Sequence, residues 1–261
     1  MAPWQRRLIL SVLWCSVAVA AQDNPEAGRV ERNGGQATLI VDSARPVDSA
    51  AITLAQEFGM RVNAEDPPYV YKDDITAPDF SRYPTLRRDV RIPKGGRLEV
   101  SFRIKSDGSP EDIPGLMHSL VDAANARFPF AYRLDVDGNW YSLVPTHTRD
   151  ALSNAVEITP LLDRRIMIPP GKRSIAASAQ LMADALSAQT GLRVSCCQAF
   201  VAGIPWGIAE VPFEAHDEPA RDVLKRLIKA GAGRRETEYW LQRCDPLPST
   251  WCFINVTRAP N

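Results

Sequence analysis

The sequence predicts an α+β protein made of two tandem β-α-β-β-α-β-β modules, each a small sheet with two helices packed on it. Three observations support this fold class. The segment 54–62 (LAQEFGMRV) returns as 186–194 (LSAQTGLRV). Apolar residues at helical spacing precede both glycines, which are typical helix ends. A further strand, a second helix and a hairpin follow each copy, so the two halves share one order of elements.

The first module is expected over residues 37–150. β-branched residues predict a strand at 37–41. Pro46 suits the first turn of the following helix, and Gly59 suits its left-handed C-terminal cap. A short strand follows this glycine, as the glycine-to-aliphatic step indicates. Strict alternation over 98–104 predicts a half-buried strand.

The second helix and the hairpin complete this module. Apolar residues at helical spacing predict the helix over 113–124. The Asp-Gly-Asn sequence at 137–139 is a strong hairpin turn, and it joins predicted strands at 130–134 and 141–144. Residues 75–95 look irregular.

The second module is expected over residues 164–258, after a connector at 151–163. Its first strand, 166–168, runs into Pro169-Pro170-Gly171, which predicts a turn. Ser174 is a candidate N-cap for the next helix. The remaining predicted elements are strands at 192–195 and 208–213, a helix at 219–230, and a hairpin of 239–241 with 252–256.

The N-terminus is typical of an export signal. Arg6 and Arg7 precede an apolar run at 8–19, and Ala18-Val19-Ala20 has the small-x-small form that signal peptidases cleave. We expect a signal peptide at 1–21, with an uncleaved anchor as the alternative. A polar, glycine-rich stretch at 22–36 is expected to be a flexible leader.

The composition limits the classes of partner. The chain has 31 basic and 31 acidic residues, and the loss of residues 1–21 would leave 29 and 31. A nearly neutral protein lacks the basic surface that nucleic acids and acidic membranes attract. We therefore expect no nucleic-acid partner and no membrane span after signal removal. The protein is expected to be exported, to the periplasm or the extracellular space.

Four cysteines remain after signal removal, and an oxidising compartment favours disulfides between them. Cys196 and Cys197 lie in or after a strand, whereas Cys244 and Cys252 flank a hairpin bend. One or both of the first pair could bridge to the hairpin, and the connectivity stays open. A zinc site is the alternative, but the spacing lacks paired C-x-x-C knuckles.

Two aromatic groups are candidate binding residues. Tyr69 and Tyr71 lie in a stiff Pro-Pro loop, where they either form a recognition surface or pack onto the first module. Two ring pairs occupy corresponding predicted hairpins, and alternation sends adjacent rings to opposite faces of a strand. One ring of each pair should leave the inner face, unless another element covers it. These residues are Trp140, Tyr141, Tyr239 and Trp240.

The second half also resembles a known family. The segment 211–224 (VPFEAHDEPARDVL) comes directly before a predicted helix, and the helix-Gly-aliphatic step comes earlier. Both features are similar to the short N-terminal domain of secretins and TonB-dependent receptors. The resemblance covers most of 166–257 and, more loosely, 38–148. It concerns the short domain alone, so channel gating and transport are not implied. The chain also resembles a family of exported bacterial proteins that share a segment like 66–69 (DPPY), and membership implies no activity.

The sequence contains no recognisable catalytic spacing. His118, His147 and His216 form no metal-binding motif, and no nucleophile elbow, dinucleotide fingerprint or P-loop occurs. We therefore predict no catalytic residues, no metal site and no cofactor.

The leading hypothesis is a non-enzymatic binding or adaptor protein of the bacterial cell envelope that acts through protein–protein contacts. One alternative is a periplasmic hydrolase whose carboxylate or His118/His147 site lies between the modules. Another is a structural envelope component that self-associates through sheet edges.

Overall fold

The computed structural model describes residues 28–81, 89–196, 210–232 and 238–258. The predicted signal peptide at 1–21 lies outside these residues. In the described ranges, no helix has both the length and the apolar character needed to cross a membrane.

Two helices and eight strands make up the first half. They are β1 (Arg29–Asn33), β2 (Gln36–Ser43), α1 (Pro46–Phe58), β3 (Arg61–Glu65), β4 (Ile75–Thr76), β5 (Ile92–Pro93), β6 (Gly96–Arg103), α2 (Ile113–Arg127), β7 (Ala131–Asp137) and β8 (Trp140–Arg149).

The second half begins after a short strand, β9 (Ala155–Glu157), and a turn of 3₁₀ helix. Its elements are β10 (Arg165–Ser174), α3 (Ile175–Thr190), β11 (Arg193–Cys196), β12 (Glu210–Pro219), α4 (Ala220–Ala232), β13 (Glu238–Cys244) and β14 (Trp251–Arg258). Helices and strands are thus mixed along the chain, which confirms the α+β class.

Local signals place the helix ends. Gly59 and Gly191 both have positive φ, 63° and 72°, and their N–H groups close the last turns of α1 and α3. Glycine carries no Cβ and enters this left-handed region without the steric cost that other residues meet. The side chains of Asp112 and Ser174 cap the N-termini of α2 and α3.

The two halves have corresponding strand pairings. In the first, β2 pairs with β6 antiparallel and β3 pairs with β8 parallel. In the second, β10 pairs with β12 antiparallel and β11 pairs with β14 parallel. Each half ends in an antiparallel hairpin, β7–β8 or β13–β14.

The halves do not form two separate sheets, contrary to the expectation of one small sheet in each module. β13 pairs parallel with β3, and this contact joins both hairpins into one seven-stranded sheet of order β11-β14-β13-β3-β8-β7, with β9 beside β8. One face of this sheet packs on a core with α1 and α2, and the other packs on a core with α3 and α4. Alternate residues of β8 and β13 therefore enter different cores.

Buried polar groups fasten the β3–β13 seam. Only two residue pairs lie in register there, Ala64 with Leu241 and Glu65 with Gln242. The fully buried Asn63 extends the connection, because its Oδ1 accepts from the backbone N–H of Trp240 at 3.0 Å. Its Nδ2 donates to the Ser142 hydroxyl of β8 at 3.1 Å. Asn63 thus holds three neighbouring strands together.

An ion network adds a second connection between the halves. Arg221 of α4 donates through Nε and Nη2 to both carboxylate oxygens of Glu65, each at 2.9 Å, and it also pairs with Asp135 and Asp163. Arg221 is 5% exposed and Glu65 is 1% exposed. Burial raises the pKa of Glu65, and Arg221 opposes that rise.

Four local expectations differ from the structure. Arg29–Asn33, placed in the flexible leader, forms β1 and pairs with β2. The expected turn at 169–171 lies within β10, which passes through it with irregular register. Among the described residues β10 pairs only with β12, and its other edge tolerates the two prolines. The irregular stretch 75–95 contains the two-residue pair β4–β5, and the connector 151–163 contains β9.

The cysteines of the last hairpin bond to each other. Cys244 and Cys252 are register partners on β13 and β14, their Cα atoms are 4.1 Å apart, and they form a disulfide. Neither is therefore the partner of Cys196, which is also disulfide-bonded. The suggested bridge from Cys196 or Cys197 to this hairpin is wrong, and Cys197 itself lies outside the described ranges. A disulfide is consistent with an exported protein.

We expect Arg221→Met to lower the free energy of unfolding by about 3–5 kcal/mol, because it leaves the Glu65 carboxylate buried without its ion partner. Urea titration followed by tryptophan fluorescence measures this change. The double variant Arg221→Met/Glu65→Leu should recover much of the loss.

Arg29→Met is the matched control. Its ion pair with Glu31 is 2.8 Å long, but both side chains are more than half exposed, so we expect a loss below about 1 kcal/mol. Equal losses for Arg29→Met and Arg221→Met would contradict the assignment of the network as an inter-half connection.

Candidate binding cleft

A cleft opens at the N-terminal end of α1, and we call it the α1 cleft. Its volume is about 240 Å³. The start of α1, the end of β3, the loop that follows it, the β5–β6 turn, the α2–β7 loop and the end of β8 line it. The lining side chains are those of Ala44, Arg45, Pro46, Val47, Asp48, Ala64, Glu65, Asp66, Tyr69, Asp73, Asp74, Lys94, Phe128, Pro129, Phe130, Tyr132, Arg127 and Arg149.

Asp66 is the best-connected acid of the cleft. Its Oδ2 accepts from Arg45 Nε at 2.7 Å and from the backbone N–H of Cys244 at 3.2 Å. The hydroxyl of Tyr69 donates to Oδ1 at 3.1 Å. Arg45 also donates to the carbonyl oxygen of Cys244 at 3.2 Å. The disulfide hairpin of the second half therefore supports the floor of a cleft in the first.

Asp48 lies in the first turn of α1 and is 2% exposed. Its carboxylate pairs with Arg243 of β13. Burial raises the pKa of Asp48 from 3.8 to about 7, because desolvation outweighs the attraction of Arg243, and the negative charge of Asp66 adds to the rise. Asp48 is thus a buried acid that titrates near neutral pH.

Arg149 lines the cleft, and Tyr71 packs against its guanidinium. The Nε of Arg149 donates to Asp74 Oδ2 at 2.9 Å, and a second guanidinium nitrogen contacts Oδ1. The guanidinium also lies 4.5 Å from the centre of the Tyr71 ring. The Tyr71 hydroxyl donates to Asp73 at 2.9 Å. These contacts hold the 66–74 loop against β8.

The loop tyrosines pack onto the first half. The sequence left this arrangement and a recognition surface as the two alternatives. Tyr69 is 4% exposed and meets Phe130 edge to face at 5.3 Å. Tyr71 is half-buried under Arg149. Tyr69 therefore lines the cleft, and Tyr71 contacts Arg149, which also lines it.

The predicted hairpin aromatics do not form an exposed surface. Trp140 and Trp240 enter the α3/α4 core with ring centres 5.4 Å apart, and Tyr239 enters the other core. All three are at most 3% exposed, and Tyr141 is half-buried. Adjacent rings do point to opposite faces, but the shared sheet has a core on each face. The second core is brought onto the sheet by long-range strand pairing, which the alternation of residues along one strand does not reveal.

The histidines do not converge. His118 is exposed on α2, His147 is half-buried on β8, and His216 is exposed on β12. None lines the α1 cleft, and the suggested His118/His147 site stays a prediction. Across the described ranges, no three His, Cys, Asp or Glu side chains are grouped as metal ligands.

No known family model, curated protein or solved structure matches the chain. The resemblance to the short N-terminal domain of secretins and TonB-dependent receptors therefore stays a prediction.

Most of this cleft was not predictable from local sequence patterns. Tyr69 is among the predicted site residues, whereas Asp48, Asp66 and Tyr132 are not. The Pro-Pro loop beside Asp66 was the available local signal.

We expect Asp48→Asn to flatten the pH dependence of stability between about pH 4 and pH 7. In the unfolded chain Asp48 loses its proton near its ordinary pKa of 3.8, whereas the folded protein keeps the proton to about pH 7. The folded state binds more protons in this window, so wild-type stability falls as the pH rises. The contribution is on the order of 2–4 kcal/mol.

Urea unfolding at half-unit pH steps measures the slope. Asp42→Asn, a change at an exposed carboxylate of β2 outside the cleft, should keep the wild-type slope. An Asp48→Asn protein with an unchanged slope would show that Asp48 stays ionised throughout the window.

Proposed function

We propose that this chain is an exported, non-enzymatic binding protein of the bacterial cell envelope, and that the α1 cleft is its partner-binding site. The occupant is a side chain or a chain end of a protein partner. The observation that carries the proposal is the composition of the cleft. Its acidic side chains all have hydrogen-bonding or ion-pairing partners, two of its cationic side chains have no ion-pair partner among the described residues, and an apolar wall lies beside them.

The pairing of every acidic side chain in the cleft supports binding rather than catalysis. Every acidic side chain that lines the cleft has a hydrogen-bonding or ion-pairing partner, with Asp48 on Arg243 and Asp66 on Arg45 and Tyr69. No serine, threonine, cysteine or histidine side chain is among the lining residues. A covalent mechanism would therefore need one of these engaged carboxylates as its nucleophile.

The unpaired donors and the apolar wall supply recognition. Lys94 and Arg127 line the cleft, are exposed, and have no ion-pair partner among the described residues. Phe128, Pro129 and Phe130 form an apolar wall beside them. Binding pockets typically combine such a wall with a few placed polar groups. The proposal rests on this chemistry and does not require two independent modules.

Acid–base catalysis is the second candidate function. The pKa of about 7 for Asp48 favours it, because general acids and bases work best when they titrate near the operating pH. Substrate turnover that depends on Asp48 would replace the binding proposal with this one.

Site-specific photo-crosslinking tests the binding proposal. A photoreactive residue at Phe128 should capture one envelope protein in the source bacterium, and the same residue at the exposed Val136 of β7 should not. Mass spectrometry identifies the captured protein, which is then purified. Capture at both positions, or at neither, would contradict the assignment of the cleft.

Titration of the purified partner gives the quantitative test. We expect Arg127→Glu to weaken binding at least tenfold, because it reverses a charge in the cleft. Arg103→Glu changes an exposed arginine of β6 outside the cleft and should stay within twofold of wild type. Equal affinities for both variants would place the interface elsewhere.

A further inference from the structure

One end of the α1 cleft has a largely buried tyrosine whose hydroxyl has no partner among the described residues. Tyr132 of β7 is 7% exposed and lines the cleft. Its backbone groups bond to Asn125, but its hydroxyl has no hydrogen-bonding partner among the described residues. Burial raises the pKa of Tyr132 well above 10, and the charges of Asp66 and Asp48 add to the rise. The hydroxyl therefore stays protonated and is a donor that lacks an acceptor.

The N-terminus of α1 supplies further donors at the same place. Asp112 and Ser174 cap α2 and α3, whereas no side chain caps α1. The first turn of α1, from Pro46 to Asp48, lines the cleft. Free N–H groups and the helix dipole favour a negatively charged group at such an end.

Two of the four cationic side chains among the described lining residues are unpaired. Lys94 and Arg127 have no ion-pair partner among the described residues, whereas every acidic side chain of the lining has a partner. The unsatisfied groups of the cleft are thus all donors, and the chemistry that satisfies them is an anionic oxygen acceptor.

We propose that the α1 cleft recognises a carboxylate attached to an apolar or aromatic group. This inference rests on the proposed function and names the group that is bound. The carboxylate accepts from the Tyr132 hydroxyl and the first turn of α1, while Lys94 and Arg127 balance its charge. The attached group packs on Phe128 and Phe130.

The acidic floor selects a carboxylate over a phosphate. Asp48, Asp66 and Glu65 lie in the lining and are paired by single arginines. Ligand charge increases both the repulsion from these acids and the attraction to the cations, but among the described lining residues only Lys94 and Arg127 are cations without an ion-pair partner. We therefore expect the singly charged carboxylate to bind more tightly than a doubly charged phosphate.

The test uses N-acetylphenylalanine and its amide as probes of the full mature chain. Backbone amide NMR shifts and calorimetry measure binding. We expect the acid to bind at least tenfold more tightly than the amide, with the largest shifts at Val47, Asp48 and Tyr132. The peptide Gly-Gly-Gly-Gly-Phe with a free or amidated C-terminus then distinguishes a chain end from a free acid as the source of the carboxylate.

Variants assign the donors. Tyr132→Phe and Arg127→Gln should each weaken binding of the acid about three- to tenfold and leave binding of the amide unchanged. Arg103→Gln should change neither. Arg127 is exposed, so its variant tests the proposal even if the buried Tyr132 variant does not fold.

Three results would overturn the inference: equal affinity for acid and amide, tighter binding of phenyl phosphate than of the acid, or no binding of the acid. If the Phe128 crosslink still captures a partner in these cases, the carboxylate proposal fails and the binding function stands. If neither the crosslink nor the acid gives a signal, both proposals fail.

Discussion

The pairing of β13 with β3 is the constraint on which the rest of the structure depends. It places strands of both halves in one sheet, and that sheet separates two hydrophobic cores. Each residue of β8 and β13 must therefore suit one core or the other, and neither face is left for solvent. Polar residues in the seam are tolerated because they are paired: Asn63 bonds across three strands, and Glu65 meets Arg221.

The cleft depends on the same seam. Asp48 and Asp66 belong to the first half, but their partners Arg243 and Cys244 belong to β13. The position of β13 against β3 therefore determines how the two acids are held and how far burial raises the pKa of Asp48. A change in the second half that moves β13 would change the cleft without touching any residue that lines it.

The helix boundaries could be predicted because their signals are local. Pro46 begins α1, Gly59 and Gly191 occupy left-handed caps, and Asp137-Gly138-Asn139 makes the expected hairpin turn. The path of β10 through two prolines was not predictable, because it depends on which edge of the strand is left unpaired.

The candidate site was less accessible to sequence reasoning. Trp140 and Trp240 look like surface candidates until the covering core of the other half is known. The lining of the cleft extends from Ala44 to Arg149, and only the tertiary pairing of strands brings these residues together. No spacing motif contains that information.

The β3–β13 contact also determines how the molecule can be dissected. A cut within 151–163 would leave one fragment with the seam edge of β3 open, and would leave the other fragment with Arg221 far from Glu65. Open strand edges are templates for unwanted pairing between chains. Fragments divided at the apparent boundary in the sequence would therefore be poor reagents, since the α1 cleft and the strand β13 that supports it lie on opposite sides of that boundary.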